Sequence, residues 1–270
     1  MYKAVFLDMD GTLLKSDHTI SDATKETIGQ LTHQGIPVIL VSARPFDAIL
    51  PYVRELSTSH YPVVALNGGY IVLDDQPIFQ AIIDAEMTAG LTRELKLFKN
   101  TTAYYLQREW FAGVDDEWIE HEQQIMDVRI KVQPIEELVK EWADHKTGPN
   151  KMMVMSDRGS IDLIQAHLKS IYGENLNIYP SKPTYLEIMN PAASKSNAVR
   201  FLIERMGLDR SEVIAMGDNY NDKEMIRFAG MGVAMGNAPD EIKEAADYVT
   251  DTNNEDGVRK ALEKLIWGKE

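Results

Sequence analysis

YKAVFLDMDGTLL (residues 2–14) runs four apolar residues, Ala4 to Leu7, straight into Asp8, Asp10 and Gly11. A short apolar run that ends in an acidic turn is the pattern of a buried parallel strand whose polar groups gather at its carboxyl end. In an extended segment the side chains of Asp8 and Asp10 leave the same face, roughly 7 Å apart. Gly11 then lets the chain turn sharply. Taken alone, the segment reads equally well as an Asx-type turn with solvated carboxylates. It is not an EF-hand loop, in which glycine holds the sixth position rather than the fourth.

The same pattern recurs along the chain. PVILV (37–41) ends in Ser42-Ala43-Arg44, VVAL (63–66) in Asn67-Gly68-Gly69, and EVIAM (212–216) in Gly217-Asp218. Helical segments separate these runs. One begins at Ser21, a candidate cap, turns Ala23, Thr24, Ile28 and Leu31 inward and stops at Gly35; another runs from Ser194 to Met206 and stops at Gly207. YIVL and PIFQAII, on either side of Asp74-Asp75, predict a hairpin. MGVAM (231–235) and DYVT (247–250) predict two more strands, and 255–267 a last helix. This βα alternation implies an open parallel sheet with right-handed crossovers.

Between its two halves the pattern changes. Predicted helices over 86–99, 115–127, 135–143 and 159–172 alternate with the strand candidates TAYYLQ, RIKV, KMMVM, NIYP and TYLEI, and aromatic residues concentrate there. The expected organisation is an α/β core from 1–83 plus 187–270, with a second α/β domain inserted over 84–186.

Composition narrows the function. Against 28 Lys and Arg stand 42 Asp and Glu, a formal charge of −14, so nucleic acid and anionic membranes are not expected partners. With no cysteine, disulfides, thiol nucleophiles and zinc–thiolate sites are excluded. No stretch approaches the ~18 apolar residues of a membrane helix, and no secretory pattern precedes Asp8; a soluble, cytoplasmic protein is expected. An anionic ligand would need local cations to overcome the general field.

GDNYND (217–222) is a second acidic turn at the end of a buried strand. By itself it reads equally as the cap of the next helix. Two such turns together favour a shared site for a hard cation such as Mg²⁺, which takes oxygen ligands. Ser42 offers a hydroxyl, although serine there is commonly a helix cap. Lys195 opens a helix, where the dipole disfavours it unless it meets an anion. No GxxxxGK[ST] is present, which excludes a P-loop kinase.

The order of these elements resembles the haloacid dehalogenase superfamily of aspartate-nucleophile phosphotransferases, and within it the Cof-type sugar phosphatases. The matching stretches are DMDGTLL (8–14), VSAR (41–44), LNGGYI (66–71), EIMNPAASKSNAV (187–199) and GDNYNDKEMI (217–226). Ala43 and Ser196 stand where that family more often has glycine. The resemblance implies a Rossmann-like parallel-sheet core with an inserted α/β cap of the C2 type. It implies Asp8 as nucleophile, Asp10 as general acid and base, and Mg²⁺ held by Asp8, the Asp10 carbonyl and Asp218, with Asp222 supporting the metal or orienting Lys195. Ser42, Lys195 and Asn221 would bind phosphate, and Arg44 and Asn67 are candidates for substrate contact. The substrate would be a small phosphorylated metabolite, a sugar phosphate above all. A phosphomutase of the same superfamily, and a phosphoaspartate module without turnover, are the rival readings.

Overall fold

A computed structural model of the chain describes residues 2–126 and 128–269. It divides into two units, one of Met1–Ala43, Ile49–Ile78 and Ser194–Glu270, the other of Arg44–Ala48 and Phe79–Ala193. The first unit starts with β1 (Ala4–Leu7), buried throughout. In α1 (Asp22–His33) Ser21 accepts the Thr24 N–H as N-cap, and Thr24, Thr27, Ile28 and Leu31 form the buried stripe. Ala23, expected to face inward, is exposed; it sits one residue, about 100°, round the helix from Thr24. β2 (Val38–Leu40) pairs with β1 in parallel, Phe6 opposite Ile39. After α2 (Phe46–Glu55) comes β3 (Val63–Ala65). A single parallel bridge joins Val64 to Val41, while the regular partner of β3 is antiparallel, β4 (Tyr70–Leu73), followed by β5 (Gln76–Gln80). Asp74 and Asp75 between β4 and β5 both have positive φ, at 51° and 57°, as a tight two-residue hairpin turn requires.

The second unit contains α3 (Ala85–Leu95), β6 (Thr101–Leu106), β7 (Glu109–Ala112), α4 (Glu117–Met126), β8 (Ile130–Val132), α5 (Ile135–Asp144), β9 (Lys151–Met155), α6 (Arg158–Tyr172), β10 (Asn177–Lys182) and β11 (Tyr185–Met189). Its six strands lie in the order β10-β11-β9-β6-β7-β8. Alternate residues such as Tyr104, Met152, Leu186 and Ile188 enter one core with Leu91, Trp142 and Ile164 from the helices. Two details differ from the sequence-based expectation. β7 is an additional strand, its four residues too few to carry a periodic signal. β11 keeps Glu187 to Met189 within this sheet, past the expected edge at 186/187. The predicted helix over 115–127 is α4, and its last position, 127, lies outside the described residues.

The chain then completes the first unit with α7 (Lys195–Met206), β12 (Val213–Gly217), α8 (Lys223–Phe228), β13 (Met231–Ala234), α9 (Asp240–Lys243), β14 (Tyr248–Val249) and α10 (Gly257–Trp267). The parallel sheet has the order β14-β13-β12-β1-β2, with Leu7 opposite Met216. From β1 the strands build outward in one direction to β2; from β12 they build in the other. Such a reversal opens a crevice at the carboxyl ends of the two central strands, where ligands of α/β sheets bind. No helix among the described residues is long and apolar enough to cross a membrane.

Candidate active site

Asp8 and Asp218 occupy that crevice, one just past each central strand. The Asp8 N–H donates to the Met216 carbonyl at 3.0 Å, which continues the pairing of β1 with β12 past Leu7. The Asp8 side chain is buried. Its partner is Lys195, the first residue of α7 and itself only 2% exposed. The Lys195 Nζ donates to Asp8 Oδ1 at 2.5 Å and to Asp222 Oδ1 at 2.6 Å. Ser194 places it by accepting the Asn197 N–H as the α7 cap. A lysine disfavoured by the helix dipole is thus held by two carboxylates.

Asp222 organises the second acidic turn. Its Oδ2 accepts the backbone N–H of Asp218 at 3.1 Å and of Asn219 at 3.0 Å. Two glycines allow this closeness. A Cβ on Gly217 would fall 2.4 Å from the Asp222 Cβ, and one on Gly11, whose φ is +80°, 2.3 Å from Asp218 Oδ2. Thr12, two residues past Asp10, donates its hydroxyl to Asp218 Oδ1 at 3.2 Å.

Asp8, Asp218 and Asp222 each offer a carboxylate oxygen within 4.8 Å of the others'. Burial, and next the charge of Asp222, push the Asp8 carboxyl well above its ordinary value against the pull of Lys195. Burial and then Asp222 push Asp218 up to about 6, although the Thr12 hydroxyl works against them. Burial by itself would lower the pKa of Lys195; Asp222 and Asp8 outweigh it and hold the ammonium above its ordinary value. Among the described residues, three carboxylates therefore share one ammonium. A further cation fits this donor set, and hard carboxylate oxygens suit Mg²⁺.

Asp10 departs from the expected geometry. Its side chain is 48% exposed, with Oδ1 3.9 Å from His18 Nδ1, whereas Asp8 is buried. The extended backbone ends at Leu7, so strand alternation does not place the two carboxylates. The N–H groups of Leu13 and Leu14 turn back to the carbonyls of Asp8 and Met9, and period-two alternation ends with the strand. The His18 contact carried no signal in sequence.

Ser42 is buried beyond β2; its N–H donates to Val64 O and its carbonyl accepts the Asn67 N–H, both at 2.9 Å. Asn67 is buried with φ 53°, and its Oδ1 accepts from Asn221 Nδ2 at 2.9 Å. Asn221 and Asn67, expected to serve separately, thus bond to each other and tie the 66–68 turn to the second acidic turn. Gly68 seats that turn under α7: its φ is +89°, and a Cβ there would lie 2.3 Å from the Ser194 carbonyl. Arg44, the other candidate for substrate contact, is buried and belongs to the second unit. Asn237, in the turn after β13, also reaches Asp218, its Nδ2 donating to Oδ2 at 3.3 Å. Nothing in the spacing of GNAPDE (236–241) indicated this.

Comparison with known proteins gives these residues a context. A family model described as haloacid dehalogenase-like hydrolase matches residues 5–262. A Haemophilus influenzae protein named provisionally as a phosphatase is 39% identical, covering 98% of both chains. The 5-amino-6-(5-phospho-D-ribitylamino)uracil phosphatase of Bacillus subtilis is 30% identical over 98% of this chain and 96% of its own length. A crystal structure of a haloacid dehalogenase-like hydrolase from Bacteroides thetaiotaomicron superposes with a TM-score of 0.89 at 32% identity, covering 98% of this chain and all of the other.

Proposed function

The chain belongs to the haloacid dehalogenase-like hydrolases and is a phosphatase, and on that premise we propose that it hydrolyses small phosphorylated metabolites, sugar phosphates foremost, through a phosphorylated Asp8. The observation that carries this reading is the buried Asp8–Lys195 pair with Asp218 and Asp222 beside it. A carboxylate oxygen of Asp8 bonds to phosphorus as the bond from phosphorus to the ester oxygen breaks. Asp10, reaching from the exposed side of the turn, gives its proton to the leaving alkoxide. It then takes a proton from the water that attacks the phosphoaspartate, releasing inorganic phosphate and restoring Asp8.

Lys195 has three N–H donors. Two go to Asp8 and Asp222, and the third serves a phosphoryl oxygen, where charge spreads in the transition state. Ser42 contributes its hydroxyl to the same group. Asp8, Asp218 and the Asp10 carbonyl would hold Mg²⁺, which when bound neutralises the charge between nucleophile and phosphate. Asp222, with one oxygen on Lys195 and the other on two backbone N–H groups, orients the lysine and the turn. Asn221 acts through Asn67.

The second unit is assigned the selection of the ester. The Bacillus subtilis relative, whose named substrate carries its phosphate on a ribityl chain, supports a polyol phosphate as substrate class. The enzyme is placed in the cytoplasm, where such metabolites occur. The test is phosphate release from a panel of sugar and polyol phosphates and p-nitrophenyl phosphate, with Mg²⁺, with EDTA, and with Asp8→Asn. Multiple turnovers that need both Mg²⁺ and Asp8 are expected. Isomerised sugar phosphate without free phosphate would replace the proposal with a mutase. A single phosphorylation event without turnover would replace it with a phosphoaspartate module.

A further inference from the structure

The geometry points to Asn237 as a positioning residue for the cation site, one side-chain amide that sets the Asp10–Gly11 loop and the Asp218 carboxylate against each other. Its Nδ2 donates to the Gly11 carbonyl at 2.8 Å and to Asp218 Oδ2 at 3.3 Å. The orientation of the amide is fixed by its other end, because Oδ1 accepts the Asn253 backbone N–H at 3.0 Å. An N–H can only donate, so Oδ1 must face Asn253 and the amide's two hydrogens must face Gly11 and Asp218.

Thr12 thus reaches Oδ1 of Asp218 and Asn237 reaches Oδ2, and Asp8 also hydrogen-bonds to this carboxylate. Donors on both oxygens restrict the rotation of the carboxylate. Gly11, lacking a Cβ, lets its loop lie directly against the Asp218 carboxylate, where a Cβ would fall 2.3 Å from Oδ2, and these polar links hold the two in register. The Asp10 carbonyl belongs to the peptide preceding Gly11, so the bond to the Gly11 carbonyl also steadies the one backbone ligand proposed for the metal. Partners of this kind, one bond removed from the ligand atoms, typically change metal affinity by about 10- to 100-fold when removed.

A neighbouring asparagine supplies the control. The Asn253 Nδ2 donates to the Leu14 carbonyl at 2.8 Å. Replacing Asn253 by alanine frees the same loop at Leu14 and keeps the Asn253 backbone N–H that orients Asn237. If Asn237 merely pins the loop, both variants will act alike; if it acts through Asp218, they will not.

The inference rests on the proposal that Asp218 holds Mg²⁺. The experiment is calorimetric titration of the folded, metal-stripped full chain with Mg²⁺ alone, for the wild type, Asn237→Ala and Asn253→Ala. Circular dichroism reports folding, and Asn237→Ser enters the same titration if the alanine variant does not fold. The expected result is a Kd for Mg²⁺ raised about 10-fold by Asn237→Ala and left at the wild-type value by Asn253→Ala. Equal Kd values for Asn237→Ala and wild type, or equal weakening by the two variants, overturn the assignment of Asn237 while the cation site stands. A wild type that takes up no Mg²⁺ overturns the cation site itself, and the role of Asn237 with it.

Discussion

Lys195 Nζ and Asp8 Oδ1, 187 residues apart in the chain, meet at 2.5 Å in a site from which both side chains are almost wholly withdrawn from water. A buried ion pair contributes little net stability when intact, yet removing one partner costs about 3–5 kcal/mol because the other is left uncompensated. Lys195→Met strands both Asp8 and Asp222. It should destabilise the metal-free protein by about that amount and abolish turnover. Asp8→Asn removes a carboxylate from an overcharged cluster; it should abolish turnover just as completely while leaving the metal-free protein at least as stable as wild type. Urea unfolding of both variants in EDTA checks the contrast. Equal destabilisation by the two would contradict the charge balance drawn here.

Asp218, raised to about 6 by burial and Asp222, gives the site a pH signature. A carboxyl whose folded-state pKa lies above its unfolded value of 3.8 stabilises the fold fully below that unfolded value, and the contribution is lost as pH rises through about 6. The metal-free protein should therefore lose stability between about pH 4 and pH 7, at no more than about 1.4 kcal/mol per pH unit from this group. Mg²⁺ competes with the protons on Asp218 and on Asp8, whose carboxyl burial also raises, so its Kd should fall as pH rises through about 6. Unfolding in EDTA and Mg²⁺ titration across this range measure both trends. A Kd that does not change with pH would remove Asp218 as the competing group.

Gly68 and Gly207 separate backbone strain from damage to the site. Both have positive φ, but a Cβ on Gly68 would meet the Ser194 carbonyl at 2.3 Å, whereas one on Gly207 meets open space. Gly207→Ala should cost about 1 kcal/mol, the penalty for a left-handed alanine, and leave kcat/KM unchanged. Gly68→Ala should push Ser194 and the start of α7 away, displace Lys195, and reduce kcat/KM by about 100-fold, since a displacement of about 1 Å at a reacting group costs that much. Parallel measurement of Tm and kcat/KM distinguishes them.

The Asn221–Asn67 bond predicts coupling. If Asn221 acts through Asn67, Asn221→Ala and Asn67→Ala will each lower kcat/KM, and the double variant will be little worse than either single one, with a coupling energy of about 0.5–3 kcal/mol. Additive losses in this double-mutant cycle would show that the two amides act separately.

The features legible in sequence were those written in local pattern. β1 and β12 announce themselves as apolar runs ending in acid, Ser194 and Gly207 bracket α7, and the order of motifs carries the family. What eluded sequence reading depends on where the chain goes next. Alternation does not place Asp10 because the strand stops at Leu7, and no periodicity marks that stop. Thr12 matters through Asp218, 206 residues away, and Asn237 through the same carboxylate 19 residues before it, across β13. Gly68 matters through Ser194, a contact between segments that only the fold brings together. The burial of Arg44 was also not legible, since a long side chain carries no pattern that reveals what covers it.

The place of the second unit in the chain also bears on how the site is assembled. β1 and β12, neighbours in the sheet, are separated in sequence by all of Phe79–Ala193. Closing so long a loop in an unstructured chain has an entropic cost. The second unit has its own apolar core, and the Asn190 Nδ2 donates to the Ile82 carbonyl at 2.8 Å, 108 residues away, which brings the outgoing chain back beside the incoming one. Once that unit has folded, the loop between β1 and β12 is effectively short. During synthesis, however, Asp8 emerges long before Lys195, Asp218 and Asp222, and domains form in the order in which they leave the ribosome. Asp8, the proposed nucleophile, is made first, and its site is completed last, when β12 enters beside β1.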